Sequence, residues 1–545
     1  MGFRKRPQAN QATNLDGDVS NQLGPVSHNG SVKYVGELGE NDAPPTYQEA
    51  GGAPVESHSP LGYTVGPITI LFLNISMMIG TGIYSTPSAI LAGTGSVGLS
   101  MMYWILGAVI SLCSAAVYLE YAAYFPSRSG AEVVNLEQAY PWPPYLFPTA
   151  FAMQNIILSF RSSNAIVLAD YLFATNGSKG TDWQIKGVAI AGYTVALLVV
   201  LLHTRSSYYV SNAIGSVKLI TLIFIAVTGL TIFSYGGYNN AFNVVNEIRI
   251  KRNGNIAILV VMTLCVFANV AFIAAVGKEN LESSGTIAAS LFFTAVFGSG
   301  NPAKGLNFLI ALSSFGNMIA VMIGAARMLR ECGRPGVLPA TRFWVSTWPF
   351  GTPAGPYVLD WALTVVIILA IPTGDAFNFV NDLAVLPNSV FNLAMAVGLY
   401  IARWRRKEAN LPRPSLKAWH PVAIFNILVQ LYLVVMPWYP PAGGKGDVSF
   451  WYGTYVVTGL GIVLLCGAYY ALWVQLLPRW QGDRLRQEVL QLGDGAQTHH
   501  LSKVPVDQVE EWDRTHDLTG RTIEDQSPQQ SAEKVITSIA GEKHA

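Results

Sequence analysis

Eleven long apolar runs leave this chain few ways to fold. They cover residues 67–91, 98–125, 145–173, 184–203, 210–233, 255–276, 305–328, 357–371, 377–402, 419–439 and 451–477. About 20 apolar residues in a helix span the hydrocarbon core of a bilayer. In lipid every backbone N–H and C=O must be satisfied internally, so runs of this length fold as helices. The expected fold class is an all-α polytopic membrane protein with the lipid bilayer as its surroundings. Charge agrees: 12% of residues are charged and 51% are hydrophobic, where soluble domains carry about 25% charged residues. A net charge of +1 gives no electrostatic case for a nucleic-acid partner.

The first run is interrupted where a membrane helix should be most regular, at Ile79-Gly80-Thr81-Gly82-Ile83-Tyr84. Each glycine costs a helix interior about 1 kcal/mol. A helix broken at bilayer depth is tolerated only where protein buries it or it lines a cavity. Transporters use such breaks to present a half-helix N-terminus to an anionic substrate group. The other reading of this stretch is a small-residue patch for close helix packing. A second glycine break, Phe233-Ser234-Tyr235-Gly236-Gly237, weakens that alternative. Paired breaks in two halves of a chain point to a binding site at the membrane midplane.

Basic residues set the orientation. Flanks holding Arg128, Arg205, Arg249, Lys251, Arg252, Arg334 and Arg405 should face the cytoplasm, which puts both termini there. Arg205 precedes the fifth run and Arg249 follows it, so the chain must cross twice between them. Residues 211–247 number 37, about 56 Å as helix, whereas two crossings need roughly 60 Å plus a turn. Twelve spans are demanded, and one pair has too little chain.

The domain division follows. Residues 1–60 are polar and rich in Gly, Asn, Pro and Ser, and read as a disordered cytoplasmic tail. Residues 61–480 form the transmembrane domain and 481–545 a cytoplasmic C-terminal tail. Residues 127–144, between the second and third runs, read as a short re-entrant or interfacial helix, and residues 286–298 as an apolar segment too short to span. The first tail contains Pro44-Pro45-Thr46-Tyr47, a PPxY ligand of the type that WW domains bind, either a chance match or a dock for a ubiquitin ligase that controls endocytosis. Of four cysteines, Cys113, Cys265 and Cys466 lie in apolar runs and Cys332 in a basic loop, with no disulfide framework or metal spacing. No nucleophile–base arrangement, phosphate loop or metal cluster is visible, so no enzyme, cofactor or metal site is expected.

These residues resemble the amino acid–polyamine–organocation superfamily. The resemblance covers residues 65–480. It rests on the Gly80-Thr81-Gly82 break, Glu120, Gly130 and Glu132, the segment Phe233 to Asn239, Asn246-Glu247, Ser314-Phe315-Gly316-Asn317, Ala326-Arg327, and Gly333 to Pro339. Within that superfamily the chain is similar to fungal members of the L-type amino acid transporter family, of the methionine permease kind. The resemblance implies LeuT-like inverted five-helix repeats plus two further helices. It implies a substrate carboxylate on the N–H groups near Gly80, Thr81 and Gly82, with the Thr81 hydroxyl adding to them. The ammonium would meet carbonyls at Met78, Ile79, Phe233 and Ser234. Phe233 would gate the site, and Gly236 would leave room for the substrate side chain.

Lys218 is the one lysine deep inside an apolar run, and an intramembrane charge is a functional hypothesis by default. In related sodium-independent carriers a fifth-span lysine replaces sodium and bridges the first and eighth spans. Lys218 matches that position, with Ser313 or Ser314 as eighth-span partner and protons as coupling ion. The alternative is a lysine that snorkels to the interface. Arg161 sits well inside the third run and calls for an internal ion pair, with Glu120 or Asp170; Asp360, Asp375 and Asp382 read as helix-end charges. Some related carriers bind a heavy chain by a disulfide from the loop after the third span. Residues 174–183 hold no cysteine, so no disulfide-linked heavy chain is expected, and Asn176-Gly177-Ser178 there is a glycosylation sequon.

The leading expectation is an importer of neutral L-amino acids such as methionine, coupled to protons, in the plasma membrane. The rivals are an amino-acid sensor without net transport and a channel. Related carriers place an outer loop and half a helix between the fifth-span lysine and the second break. Here Tyr235 follows Lys218 after 17 positions, about 26 Å as helix. That reads as an exon missing from the gene model. Helix 6a is then absent or severely shortened, Phe233 and Gly236 are displaced, and the chain as written transports poorly or misfolds, although the family function still describes its gene.

Overall fold

The computed structural model describes residues 53–54, 61, 67–125, 130–202, 204–229, 253–284, 287–408, 414, 416–440, 451, 453–493, 496–516, 520 and 522. The second break with Phe233, Ser234 and Gly236, the shortened helix 6a, and the tail motif Pro44, Pro45 and Tyr47 all lie outside the described residues.

The first run is two helices, α1 (Pro67–Met78) and α2 (Gly82–Thr94). After them come α3 (Val97–Tyr124), α4 (Glu132–Ala139), α5 (Leu146–Ile157), α6 (Ser162–Thr175), α7 (Asp182–Leu202) and α8 (Thr204–Gly229). The second half has α9 (Asn253–Val276), α10 (Lys278–Glu282), α11 (Ala288–Phe297), α12 (Asn301–Gly333), α13 (Thr341–Val345), α14 (Ala354–Ala370), α15 (Thr373–Glu408), α16 (His420–Val435) and α17 (Thr454–Tyr470). Among the described residues, nine helical stretches are long and apolar enough to cross a membrane, and α14 is a shorter apolar helix. Among the described residues each of the eleven apolar runs is mostly helix, and the protein is an all-α polytopic membrane protein.

Two expectations about helix continuity are corrected. The third run is interrupted: α5 stops at Ile157 and α6 starts at Ser162, with Leu158 to Arg161 non-helical between them. Cys332, placed in a basic loop from sequence, is buried in the last turn of α12. The short helix expected within residues 127–144 is α4. It lies against α5 and α15, with Leu136 and Gln138 fully buried. The apolar segment at 286–298 is α11, whose Phe292 and Phe293 pack into the core beside Phe272 of α9.

The long helix α12 is the centre of the bundle. It packs against α1, α6, α7, α8, α11 and α14. Glycine allows the closest of these approaches. A methyl group at Gly316 would fall on the Ile214 side chain of α8 and lie 3.2 Å from Lys218 Cε. A methyl at Gly215 of α8 would lie 2.8 Å from Ser76 Oγ of α1. Three helices thereby meet with almost no side-chain spacer.

The C-terminal region, expected as a cytoplasmic tail, contains a β-hairpin. Strands β1 (Asp483–Gln491) and β2 (Gln497–Pro505) pair antiparallel, Asp483 opposite Pro505 and Gln491 opposite Gln497. The hairpin docks on the end of α12. Thr498 Oγ1 and His499 N–H donate to the Arg334 carbonyl at 2.9 and 2.8 Å. The Arg334 side chain donates to the carbonyls of Gln497 and Pro54. Gly336 has φ +76°, and a methyl there would be 2.6 Å from the His499 carbonyl oxygen.

Gly316→Ala should lower stability by about 1–3 kcal/mol, the usual cost of overpacking a tight core. Thermal unfolding in detergent, followed by tryptophan fluorescence, measures it. Gly305→Ala, where nothing lies within 4 Å of the added methyl, should unfold at or above the parent temperature.

Candidate substrate site

The site begins with the orphan backbone groups of the first break. A helix end leaves four carbonyls without intrahelical donors, and a helix start leaves four N–H groups without acceptors. At the end of α1, Ile79 N–H still reaches the Ile75 carbonyl at 2.7 Å. Side chains from two other helices take up the next carbonyls. Lys218 Nζ donates to the carbonyls of Ser76 and Ile79, both at 2.9 Å. Asn317 Nδ2 donates to those of Ser76 and Met77, at 2.8 and 3.0 Å. Lys218 is 1% exposed, so it does not snorkel. Among the described residues neither Ser313 nor Ser314, expected as the eighth-span partner, bonds Lys218; α12 meets the clamp through Asn317, which shares the Ser76 carbonyl with Lys218. Ser314 Oγ turns back to the Ile310 carbonyl of its own helix at 3.1 Å, and Ser313 is buried beside it. The Ile79 carbonyl, expected to meet the substrate ammonium, is occupied by Lys218.

At the start of α2, the Thr81 carbonyl accepts from Tyr84 and Ser85 N–H at 3.0 and 3.1 Å. Helix geometry leaves the N–H groups of Thr81, Gly82 and Ile83 with no acceptor within α2, and the positive end of the helix dipole lies there. Gly80 and Gly82 differ in role. A methyl at Gly80 would lie 3.0 Å from Asn317 Nδ2, whereas a methyl at Gly82 meets only Thr86 Cγ2 at 3.8 Å. Gly80 admits the Asn317 clamp, and Gly82 keeps open space beside the free N–H groups. The Thr81 hydroxyl donates to Asn164 Oδ1 at 2.8 Å. It offers the cavity lone pairs, not the donor expected from sequence.

The break opens into a cavity of about 490 Å³. Gly80, Thr81 and Gly82 line it, with Asn164 of α6 and Asn317 of α12 beside them. Phe151, Leu158, Phe160 and Phe391 supply apolar wall, and the rings of Phe151 and Phe391 meet edge to face at 5.4 Å. Gln154 and Asn388 are joined across the cavity wall by a 2.5 Å hydrogen bond. Asn164, Gln154 and Asn388 were missed from sequence, because an amide in an apolar run has no spacing signature. Asn317 was part of a matched segment but was passed over for the serines preceding it.

Arg161 also lines this cavity. Its expected partners are corrected. Glu120 is held by Arg403, through bonds of 2.8 and 2.6 Å, and accepts the Ala418 N–H at 2.7 Å. The acid beside Arg161 is Asp360, with Nε 3.9 Å from Oδ1. Asp360 is no helix-end charge: it is 1% exposed, within α14, and accepts from Tyr193 OH and Ser159 Oγ.

Lys218→Met keeps the length and loses the donors, leaving the Ile79 carbonyl buried without its partner. Such groups cost about 1–3 kcal/mol each. The variant should reach the membrane and bind substrate weakly or not at all; unchanged affinity contradicts the clamp. Gly82→Val should fold like the parent and lose binding, because its side chain enters the cavity. Membrane yield and ligand-induced thermal shift read the two effects separately.

Comparison with known proteins gives the family. The amino acid permease family model matches residues 65–232 and 229–462. The chain is 29% identical to the high-affinity methionine permease of Saccharomyces cerevisiae, over 83% of this chain and 86% of that protein. It is 25% identical to the low-affinity methionine permease of the same yeast, over 80% and 87%. It is 24% identical to human large neutral amino acids transporter small subunit 2, over 78% and 82%. The chain is an integral membrane protein and belongs to the amino acid permease family.

Proposed function

We propose that this protein imports L-amino acids across the plasma membrane, taking neutral ones such as methionine and using protons as the coupling ion. One observation carries the reading: the α1–α2 break, whose first N–H groups have no acceptor within α2, lines a cavity walled by both aromatic and amide side chains. The substrate carboxylate sits on the N–H groups of Thr81 to Ile83, and its side chain against Phe151, Leu158 and Phe391. The ammonium meets the Thr81 hydroxyl oxygen and the Met78 carbonyl. The family resemblance would add Phe233, Ser234 and Gly236 to this pose where the sixth span has its full length. Methionine is favoured because two relatives are named as methionine permeases.

Coupling acts through Lys218, whose two bonds hold the end of α1. Loss or gain of a proton at Nζ changes that grip, so the first break is loose in one state and held in the other. Both tails lie on the cytoplasmic side, in keeping with the basic residues around Arg334. Pro44, Pro45 and Tyr47 dock a WW-domain ubiquitin ligase that removes the carrier from the surface.

Radiolabelled methionine uptake in a permease-null host tests the function. Accumulation, lower than in a carrier whose sixth span has its full length, should be saturable, competed by neutral amino acids and abolished by a proton uncoupler. Uptake that still concentrates methionine under the uncoupler contradicts proton coupling. Binding without uptake would make the protein a sensor. Tyr47→Ala should slow substrate-induced removal from the surface by several-fold; an unchanged rate means that the PPxY match is accidental.

A further inference from the structure

Arg161 stands where the third span is interrupted, at the residue before α6 begins. It faces the same cavity as Gly80, Thr81 and Gly82. Its side chain is 36% exposed although it lies midway along the span from Leu146 to Thr175. Among the described residues its buried Nε has no hydrogen-bond partner. The nearest carboxylate oxygen, Asp360 Oδ1, is 3.9 Å away, beyond hydrogen-bond reach.

Asp360 does not depend on those donors. Tyr193 OH donates to Oδ2 at 2.5 Å and Ser159 Oγ to Oδ1 at 3.3 Å. The pair therefore balances charge without using the guanidinium fork. That fork has five N–H groups in a plane that matches a carboxylate. A cation at bilayer depth is costly and marks function by default. The backbone at this point is already tied down, with Arg161 N–H donating to Thr364 Oγ1 at 2.9 Å. Three residues along, Asn164 is hydrogen-bonded to Thr81 at the first break. The starts of α2 and α6 thus converge on one space, and Arg161 carries the only full positive charge on that cavity wall among the described residues.

We propose that Arg161 is a second anchor for the carboxylate of the transported amino acid, balanced by Asp360 while the cavity is empty. The inference rests on the amino-acid reading of the site. When substrate enters, its carboxylate takes the N–H groups of the first break from one side and the guanidinium from the other. The charge that Asp360 had balanced is then shared with the ligand, and the two interrupted spans are drawn together over the substrate.

The test is binding of L-methionine and of L-methioninol, which lacks the carboxylate, to purified protein. The parent should prefer methionine strongly. The double variant Arg161→Gln with Asp360→Asn removes both charges and strands neither. Its methionine affinity should fall roughly 10- to 100-fold, the worth of a charge-assisted bond, while methioninol binding stays unchanged. Asp360→Asn alone should tighten methionine binding, because the guanidinium no longer has a competing anion. A purely structural ion pair predicts the opposite: equal losses for both ligands, and weaker binding in Asp360→Asn. Either of those results overturns the proposal. If the double variant does not fold, Arg161→Lys serves: it keeps the charge, loses the fork, and should weaken methionine alone. A parent protein that binds no amino acid overturns the functional reading as well. A parent that binds, with an unchanged ligand preference in the variants, overturns the Arg161 assignment only.

Discussion

The end of α1 is the constraint on which the rest of this structure depends. A helix that stops inside a membrane exposes carbonyls that lipid cannot satisfy. Lys218 and Asn317, from two different helices, take up three of them at Ser76, Met77 and Ile79. That arrangement requires α1, α8 and α12 to lie almost backbone to backbone, which explains Gly215, Gly316 and Gly80 at the contacts. The same clamp fixes where α2 starts, and so where its free N–H groups point. Packing, polar satisfaction and the substrate pocket are one problem with one solution here.

The charges within the bundle are arranged on the same principle. Glu120 is surrounded by Arg403, Tyr124 and the Ala418 N–H, so it is a closed structural node. Glu331 is closed by Arg330 and Arg334, and Arg334 also receives the C-terminal hairpin. Arg161 is the open case, with its carboxylate at 3.9 Å and its side chain in the cavity. Closed nodes of this kind hold helices in register, whereas an open cation is available to a ligand.

The apolar runs, the first break and the depth of Lys218 were all legible in the sequence, because hydropathy and glycine act locally. The partners of Lys218 were not. A lysine in an apolar run announces a need for acceptors, but it does not say that they will be the carbonyls of another helix. The pairing of Arg161 with Asp360 spans α5, α6 and α14, and no spacing rule links them. The interruption at Leu158 to Arg161 lacks a glycine or a proline, so the sequence carried no signal for it. The β1–β2 hairpin was missed for a similar reason: its strands are polar, half-exposed and without the alternation that betrays a buried face.

The central claim is that the amino acid sits at the α1–α2 break. Thiol protection tests it most directly. None of the four native cysteines lines the cavity, so Thr81→Cys adds the one thiol that opens onto it. Saturating methionine should slow maleimide labelling of that cysteine, with a half-maximal concentration equal to that for methionine binding to the same variant. Labelling that proceeds at one rate with and without methionine, in protein that demonstrably binds it, would place the substrate elsewhere and contradict the account.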